Sequence, residues 1–195
     1  MSGRHFYLNI RDKLAQLLNP ALCLSCGIPL RPSAYFCDHC LESLERVTHP
    51  CRCCGQPSPT LDDRCPACLH KPPAWQVMIA PLLYQGATRS MIHEFKFAEH
   101  PELAEALVHH LSDCYLGRPV QVLLPVPLHD SRLLERGFNQ SLEIAAALSR
   151  RLDIPLQPRA LRRTRATESQ SGLSLNQRKK NLTRAFSYQP VEKYQ

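Results

Sequence analysis

Eight cysteines stand in two sets of identical spacing: Cys23, Cys26, Cys37 and Cys40 in CLSCGIPLRPSAYFCDHCLESL, and Cys51, Cys54, Cys65 and Cys68 in CRCCGQPSPTLDDRCPACLHKP. Every member of the second set lies 28 residues after its counterpart, so the segment is an internal repeat of C-x2-C, ten residues, C-x2-C. Four thiolates at this spacing are the donor set of a tetrahedral Zn²⁺, bound at about 2.3 Å each. Each first pair continues as C-G-x-P, where Gly27 and Gly55 can take the positive φ that closes the turn and aims backbone N–H groups at the sulfurs. Sequential use of the two sets and a cross-braced arrangement share this spacing. Dithiol redox chemistry and an iron–sulfur site are the other uses of such pairs, and Cys53 could stand in for Cys51 or Cys54.

Neither repeat has enough apolar residues for a core, so metal binding must supply most of its folding free energy, and without zinc the region is expected to be unfolded. Ribbons of this kind serve as structural or docking modules, or as nucleic-acid platforms. Each tetrathiolate site carries −2, so two occupied sites lower the formal net charge from +7 to +3 and leave the cysteine region acidic.

A second chemistry is concentrated at the other end. Residues 129–195 hold thirteen of the 24 Lys/Arg and six of the 17 Asp/Glu, so the whole positive excess lies there. Such a surface either is merely solvated or attracts phosphate groups. The stretch PVPLHDSRLLERGFNQS follows a strand-like apolar run and gathers Arg132, Arg136, Gly137, Asn139 and Gln140 in a loop. Guanidinium forks match phosphate oxygens, Gly137 permits a close turn, and Asn139 is placed to cap a helix beginning near Gln140. Downstream, RRTRATESQSGLSLNQRKKNLTRAF carries Gln170, Ser171 and Gly172 as a flexible loop. Ser174 and Gln177 at capping-box spacing then start a helix bearing Arg178, Lys179, Asn181 and Arg184. This reads as a lid over a phosphate site. Lys96 is a further candidate phosphate contact, or a solvated helix lysine. For base stacking the basic tail offers Phe138, Phe186, Tyr188 and Tyr194, of which Phe138 and Tyr188 are expected to be buried.

The elements that must position these groups follow from periodicity. HKPPAWQ reads as a stiff linker and QVMIAPLLY as a strand. TRSMIHEFKF is a short helix, and PELAEALVHHLSDCYL is a longer one with Leu103, Leu107 and Leu111 on one face and Cys114 as a small buried residue. VQVLLPVPL is a buried-type strand, NQSLEIAAALSRRL a helix and IPLQPRALRR a short strand. Strands alternating with helices imply an α/β unit with a parallel sheet, which binds ligands beyond the carboxyl ends of its strands. The chain length allows one ordinary core and one small module. The N-terminal segment, read as a helix over residues 1–20, has Arg11, Asp12 and Lys13 where a signal peptide needs an uncharged stretch. A cytoplasmic protein with no membrane insertion is expected.

From Cys23 to about Pro190 the chain resembles ComF-type proteins, the competence and DNA-utilisation proteins. The resemblance rests on the two CxxCG repeats, the KPPAW linker, IHEFKF, LPVPLH, R-L-x-E-R-G-F-N-Q, R-x-T-x-x-Q-S-G-L and R-x-x-N-x-x-x-A-F. It implies an α/β fold made of a small double zinc ribbon over residues 21–71 and a type I phosphoribosyltransferase-like parallel sheet with flanking helices over 72–195. The region from LPVPLH to RGFNQ would lie on the pyrophosphate side, and that from QSGL to RKKNL would be the mobile hood. Phosphoribosyl pyrophosphate, or a related phosphate ligand, is the implied partner. Members continue into V-D-D-V-x-T-T-G-[ST], whose acidic pair contacts the ribose hydroxyls. No D-D followed by T-T-G occurs in these 195 residues, and Asp62 and Asp63 lie in the cysteine region. The expectation is therefore an incomplete ligand site, impaired phosphoribosyl transfer, Mg²⁺ only where that site is completed, and a sheet of marginal stability. The alternative is a zinc-containing accessory protein that binds single-stranded DNA or uptake-machinery proteins.

Overall fold

The computed structural model describes residues 21–31, 34–58, 63–97, 100–112 and 119–190, without the side chains of 110–112. The helix expected over residues 1–20 and the thiol of Cys114 lie outside the described residues, as do Asp62 and Tyr194. In chain order the elements are α1 (Asp38–Glu42), α2 (Pro66–His70), α3 (Gly86–Phe97), α4 (Leu103–Ser112), α5 (Asp130–Arg136), α6 (Gln140–Leu152), β1 (Leu161–Arg163), α7 (Leu175–Leu182) and β2 (Phe186–Tyr188). The chain divides into two compact units with the boundary between Glu94 and Phe95, inside α3.

In the front unit the internal repeat is a repeat of backbone geometry. Cys23 N–H donates to Ile28 O and Gly27 N–H to Cys23 O. Cys51 N–H donates to Gln56 O and Gly55 N–H to Cys51 O, all at 2.8 Å. A bridge joins Leu22 to Pro29 in the first copy and Pro50 to Pro57 in the second. Each second cysteine pair lies at a short helix, Cys40 in α1 behind Cys37 at its N-cap and Cys68 in α2 behind Cys65.

The segment after the repeats was expected to run as linker and then strand. Instead residues 75–83 form an extended strap bound to the cysteine region. Val47 N–H donates to Pro81 O and Leu83 N–H to Glu45 O, both at 2.9 Å, with a bridge between Arg46 and Leu82. The pairing stops at this single antiparallel bridge, and within the strap Pro81 has no backbone N–H to give to a longer ladder.

In the rear unit α4 packs against α6. The i, i+4 pair Leu103 and Leu107 is buried together with Ala104 and Val108, facing a unit whose buried residues include Ala145 and Ala147 of α6. Arg150 of α6 bonds Glu105 of α4 across the solvent side of the pair. The apolar run 120–128 is extended, but its ladder reduces to one parallel bridge, Leu123 to Leu156. Pro125 and Pro127 remove donors that a ladder would use. The named strands β1 and β2 form a two-stranded antiparallel sheet with Leu161 opposite Tyr188 and Arg163 opposite Phe186. Among the described residues the expected parallel sheet is represented by that single bridge.

Candidate metal centres and anion site

The cysteines assemble as two sequential groups, Cys23, Cys26, Cys37 and Cys40, then Cys51, Cys54, Cys65 and Cys68, with all four sulfurs of each group within 4.8 Å of one another. The cross-braced alternative is thereby excluded. Ligands about 2.3 Å from a tetrahedral centre stand about 3.8 Å apart. The Sγ atoms of Cys26 and Cys37 are separated by 3.7 Å and those of Cys54 and Cys65 by 3.8 Å. The donor set therefore fits a tetrahedral metal ion.

Backbone donors complete each cage. Cys37 N–H points at Cys23 Sγ at 3.4 Å, and its counterpart Cys65 N–H points at Cys51 Sγ at 3.2 Å. Their electrostatic effect divides the thiols. Burial raises Cys23, but the N–H groups of Cys26, Cys37 and Ser25 outweigh it and lower the pKa from the ordinary 9.0 to about 6. At Cys51 the Cys65 N–H is the leading influence and overcomes burial, again giving about 6. Cys40 is pushed up to about 12, first by burial and then by the sulfurs around it. Cys68 is driven up for the same reasons, burial leading. Four thiolates cannot share so small a volume unless a cation replaces their protons. Among the described residues from 21 to 71, six of the seven buried apolar side chains are cysteines, with Phe36 the exception. Sulfur fills the place of a hydrophobic core here.

Cys53, weighed above as a substitute ligand, is outside the four-sulfur group. It is 7% exposed, packs against Cys51 and Cys68, and uses its carbonyl to accept the Trp75 indole N–H at 2.6 Å.

The first candidate phosphate segment is a helix where a loop was expected. His129 caps α5 by accepting the Ser131 N–H, Arg132 pairs with Glu135 one turn on, and Gly137 ends the helix at φ 73°. The i, i+3 pair and the cap stabilise a turn that the glycine and the arginine count had suggested was irregular. Arg132 therefore spends its guanidinium on Glu135 Oε1 and Oε2, at 2.9 and 2.7 Å. Arg136 donates to Gln140 Oε1 and lies over the Phe97 ring, 5.7 Å from its centroid. Asn139 caps α6 as expected, accepting the Ser141 N–H at 3.0 Å, and also donates to Val126 O. Gln140 is buried and donates to Lys96 O, while the Lys96 side chain is exposed. These side chains mainly build the helix–turn–helix.

The second segment is held between β1 and β2. The capping box of Ser174 and Gln177 starts α7 as expected. Asn181 Nδ2 donates to Glu168 O at 3.0 Å, Arg165 donates to Asn181 O and Thr183 O at 2.7 and 2.9 Å, and Arg178 Nε donates to Leu173 O at 2.9 Å. Gln170, Ser171 and Gly172 form the turn before the cap, Gly172 at φ 82° and Ser171 exposed. The Gln170 Nε2 is buried with no partner. A cleft of about 480 Å³ opens between residues 165–168 and α7, lined among others by Arg165, Thr167, Lys180 and Asn181. Arg165 and Thr167 are the fixed R and T of the R-x-T-x-x-Q-S-G-L motif, but neither was named as a site residue, and no signal in the sequence singled out Lys180 as part of the same wall. Tyr188, expected to be buried, is 58% exposed, since β2 turns that residue outward opposite Leu161. Phe138 is half-buried and tilts against Phe95 at 5.7 Å.

Comparison with known proteins supplies the family. The DNA utilization protein YhgH of Escherichia coli K12 is 35% identical over 182 residues, covering 89% of this chain and 80% of that protein. YhgH of Salmonella typhi is 33% identical over the same coverage. Competence protein F of Haemophilus influenzae is 30% identical over 158 residues, 77% of this chain and 69% of that protein. No family model matches the chain, and no solved structure matches it. With duplicated tetracysteine cages in the geometry and relatives of this identity along most of its length, the chain belongs to the ComF family of competence and DNA-utilisation proteins.

Proposed function

We propose that this protein serves DNA utilisation or competence in the cytoplasm, with two structural Zn²⁺ ions organising its front unit and a phosphoribosyltransferase-like rear unit binding a phosphate-bearing ligand. Zinc is favoured among the metals by an all-cysteine tetrahedral donor set with no open position. The observation that carries the ligand reading is the concentration of cations at one place. Arg178, Lys179, Lys180 and Arg184 are all exposed, on or just after α7, and that helix forms one wall of the cleft that Arg165 lines from the other side. In this reading Asn181 lines the cleft, and Gln170, Ser171, Gly172 and Arg178 belong to the turn and helix that border it. Arg132, Arg136, Gly137, Asn139 and Gln140 form a second anion-facing turn, in which the arginines exchange their internal partners for phosphate oxygens.

The ligand proposed first is phosphoribosyl pyrophosphate. Titration calorimetry with and without Mg²⁺ tests it. Saturable binding that weakens on Lys180→Ala is expected, and no heat at millimolar ligand in either condition would remove this reading. A second reading, single-stranded DNA, is favoured by the exposed cations and by Tyr188 as a stacking surface on the same sheet. Four phosphate contacts on a single strand give a log–log salt slope of about −3. A slope near that value for an oligonucleotide, with no binding of the pyrophosphate, would decide for DNA. No helix among the described residues is long and apolar enough to cross a membrane.

A further inference from the structure

The two cysteine turns share a backbone but differ in what rests on them. On the second turn lies the strap. Trp75 Nε1 donates to Cys53 O at 2.6 Å, and Met78 N–H is directed at Arg52 O at 3.4 Å. A Cβ added to Gly55 would stand 2.9 Å from Ala80 Cβ. At the equivalent position of the first turn, Gly27 has open space.

We propose that the second metal centre is a latch for this strap: the cation held by Cys51, Cys54, Cys65 and Cys68 fixes the turn in the form the strap binds, and its loss frees residues 75–80. The strap recognises carbonyls of Arg52 and Cys53, two residues enclosed between the ligands Cys51 and Cys54. Their direction depends on a turn whose interior is sulfur and which has no apolar core to keep its shape without metal. The other end of the strap is anchored elsewhere, through Pro81 and Leu83 to Val47 and Glu45, residues that lie between the two cysteine sets. Release is therefore confined to the first half of the strap, the part that carries the exposed Trp75, Met78 and Ile79. The latch rests on the metal reading of the second cluster and is independent of the rear unit's ligand.

Trp75 is the sole tryptophan, which makes the test direct. In the full zinc-loaded chain, Cys68→Ser empties the second centre and Cys40→Ser the first. Metal content, acrylamide quenching of Trp75 and amide exchange of residues 75–80 are read on each. The expected result is loss of protection at Trp75 and 75–80 in Cys68→Ser only, with 81–83 still protected. Equal effects in the two variants, or no change in Cys68→Ser after its zinc has fallen from two to one, would overturn the latch. Wild-type protein that holds no zinc would overturn the metal reading beneath it.

Since Cys68→Ser could unfold the whole front unit, Trp75→Phe probes the same coupling from the other side, because linkage is reciprocal. Removing one indole donor should weaken zinc retention at the second centre against a competing chelator by about fivefold and leave the first unchanged. Unchanged retention at the second centre would refute the coupling.

Discussion

The two cysteine repeats are nearly the same structure built from different surroundings. Both have the bent first pair, a glycine at φ 75° or 70°, and an N–H aimed at the leading sulfur. Where the first copy has Leu24 and Ser25, the second has Arg52 and Cys53, and only there does the turn carry a strap among the described residues. Identical metal geometry can thus serve two ends. The first turn closes its own loop, while the second also hydrogen-bonds a neighbouring segment. The positions that distinguish the copies are the two residues enclosed by each C-x2-C, and in the second copy their carbonyls accept N–H groups of the strap.

Four measurements break or sharpen this comparison, starting with the largest effect. Stripping both metals should unfold the two repeats together, since structural zinc sites contribute on the order of 10 kcal/mol or more of apparent folding free energy; far-UV and near-UV circular dichroism before and after chelation would show it. Cys23→Ala and Cys51→Ala should each reduce bound zinc from two to one per chain, measured by mass spectrometry under native conditions. Only the second should increase proteolysis within 75–80. Gly55→Ala should cost about 2–5 kcal/mol, combining a positive-φ penalty of about 1–2 with overpacking against Ala80 of about 1–3, whereas Gly27→Ala should cost only the first of these, read as the difference in denaturant midpoints. Arg52→Ala should leave the thermal midpoint unchanged. Its ion pair with Asp63 spans 3.9 Å between exposed side chains, and its backbone carbonyl, the group the strap uses, survives the substitution.

Much of the site was legible in the cysteine spacing because metal ligation is a short-range, stoichiometric demand. Four sulfurs must converge, and a 28-residue shift leaves few ways to arrange them. Caps were legible for a similar reason: Asn139 and Ser174 act within three residues of themselves. The conformation around the arginines was not legible because side-chain type does not reveal a partner. Arg132 and Glu135 lie three residues apart and satisfy one another on a helical turn, and a loop full of cations became α5. The strand expectations over 76–84 and 120–128 counted apolar residues but gave too little weight to Pro81, Pro125 and Pro127, each of which removes a ladder donor.

By itself the sequence determined the two metal cages, their glycine turns and the starts of α6 and α7, all of which depend on groups a few residues apart or on a repeated pattern of ligands. Tertiary structure alone decided that the cages use sequential cysteines, that the linker docks on the second cage, and that Arg165 and Lys180 face one cleft. Those outcomes depend on which distant backbone carbonyls and N–H groups find each other once the chain has closed, and no local spacing encodes that choice.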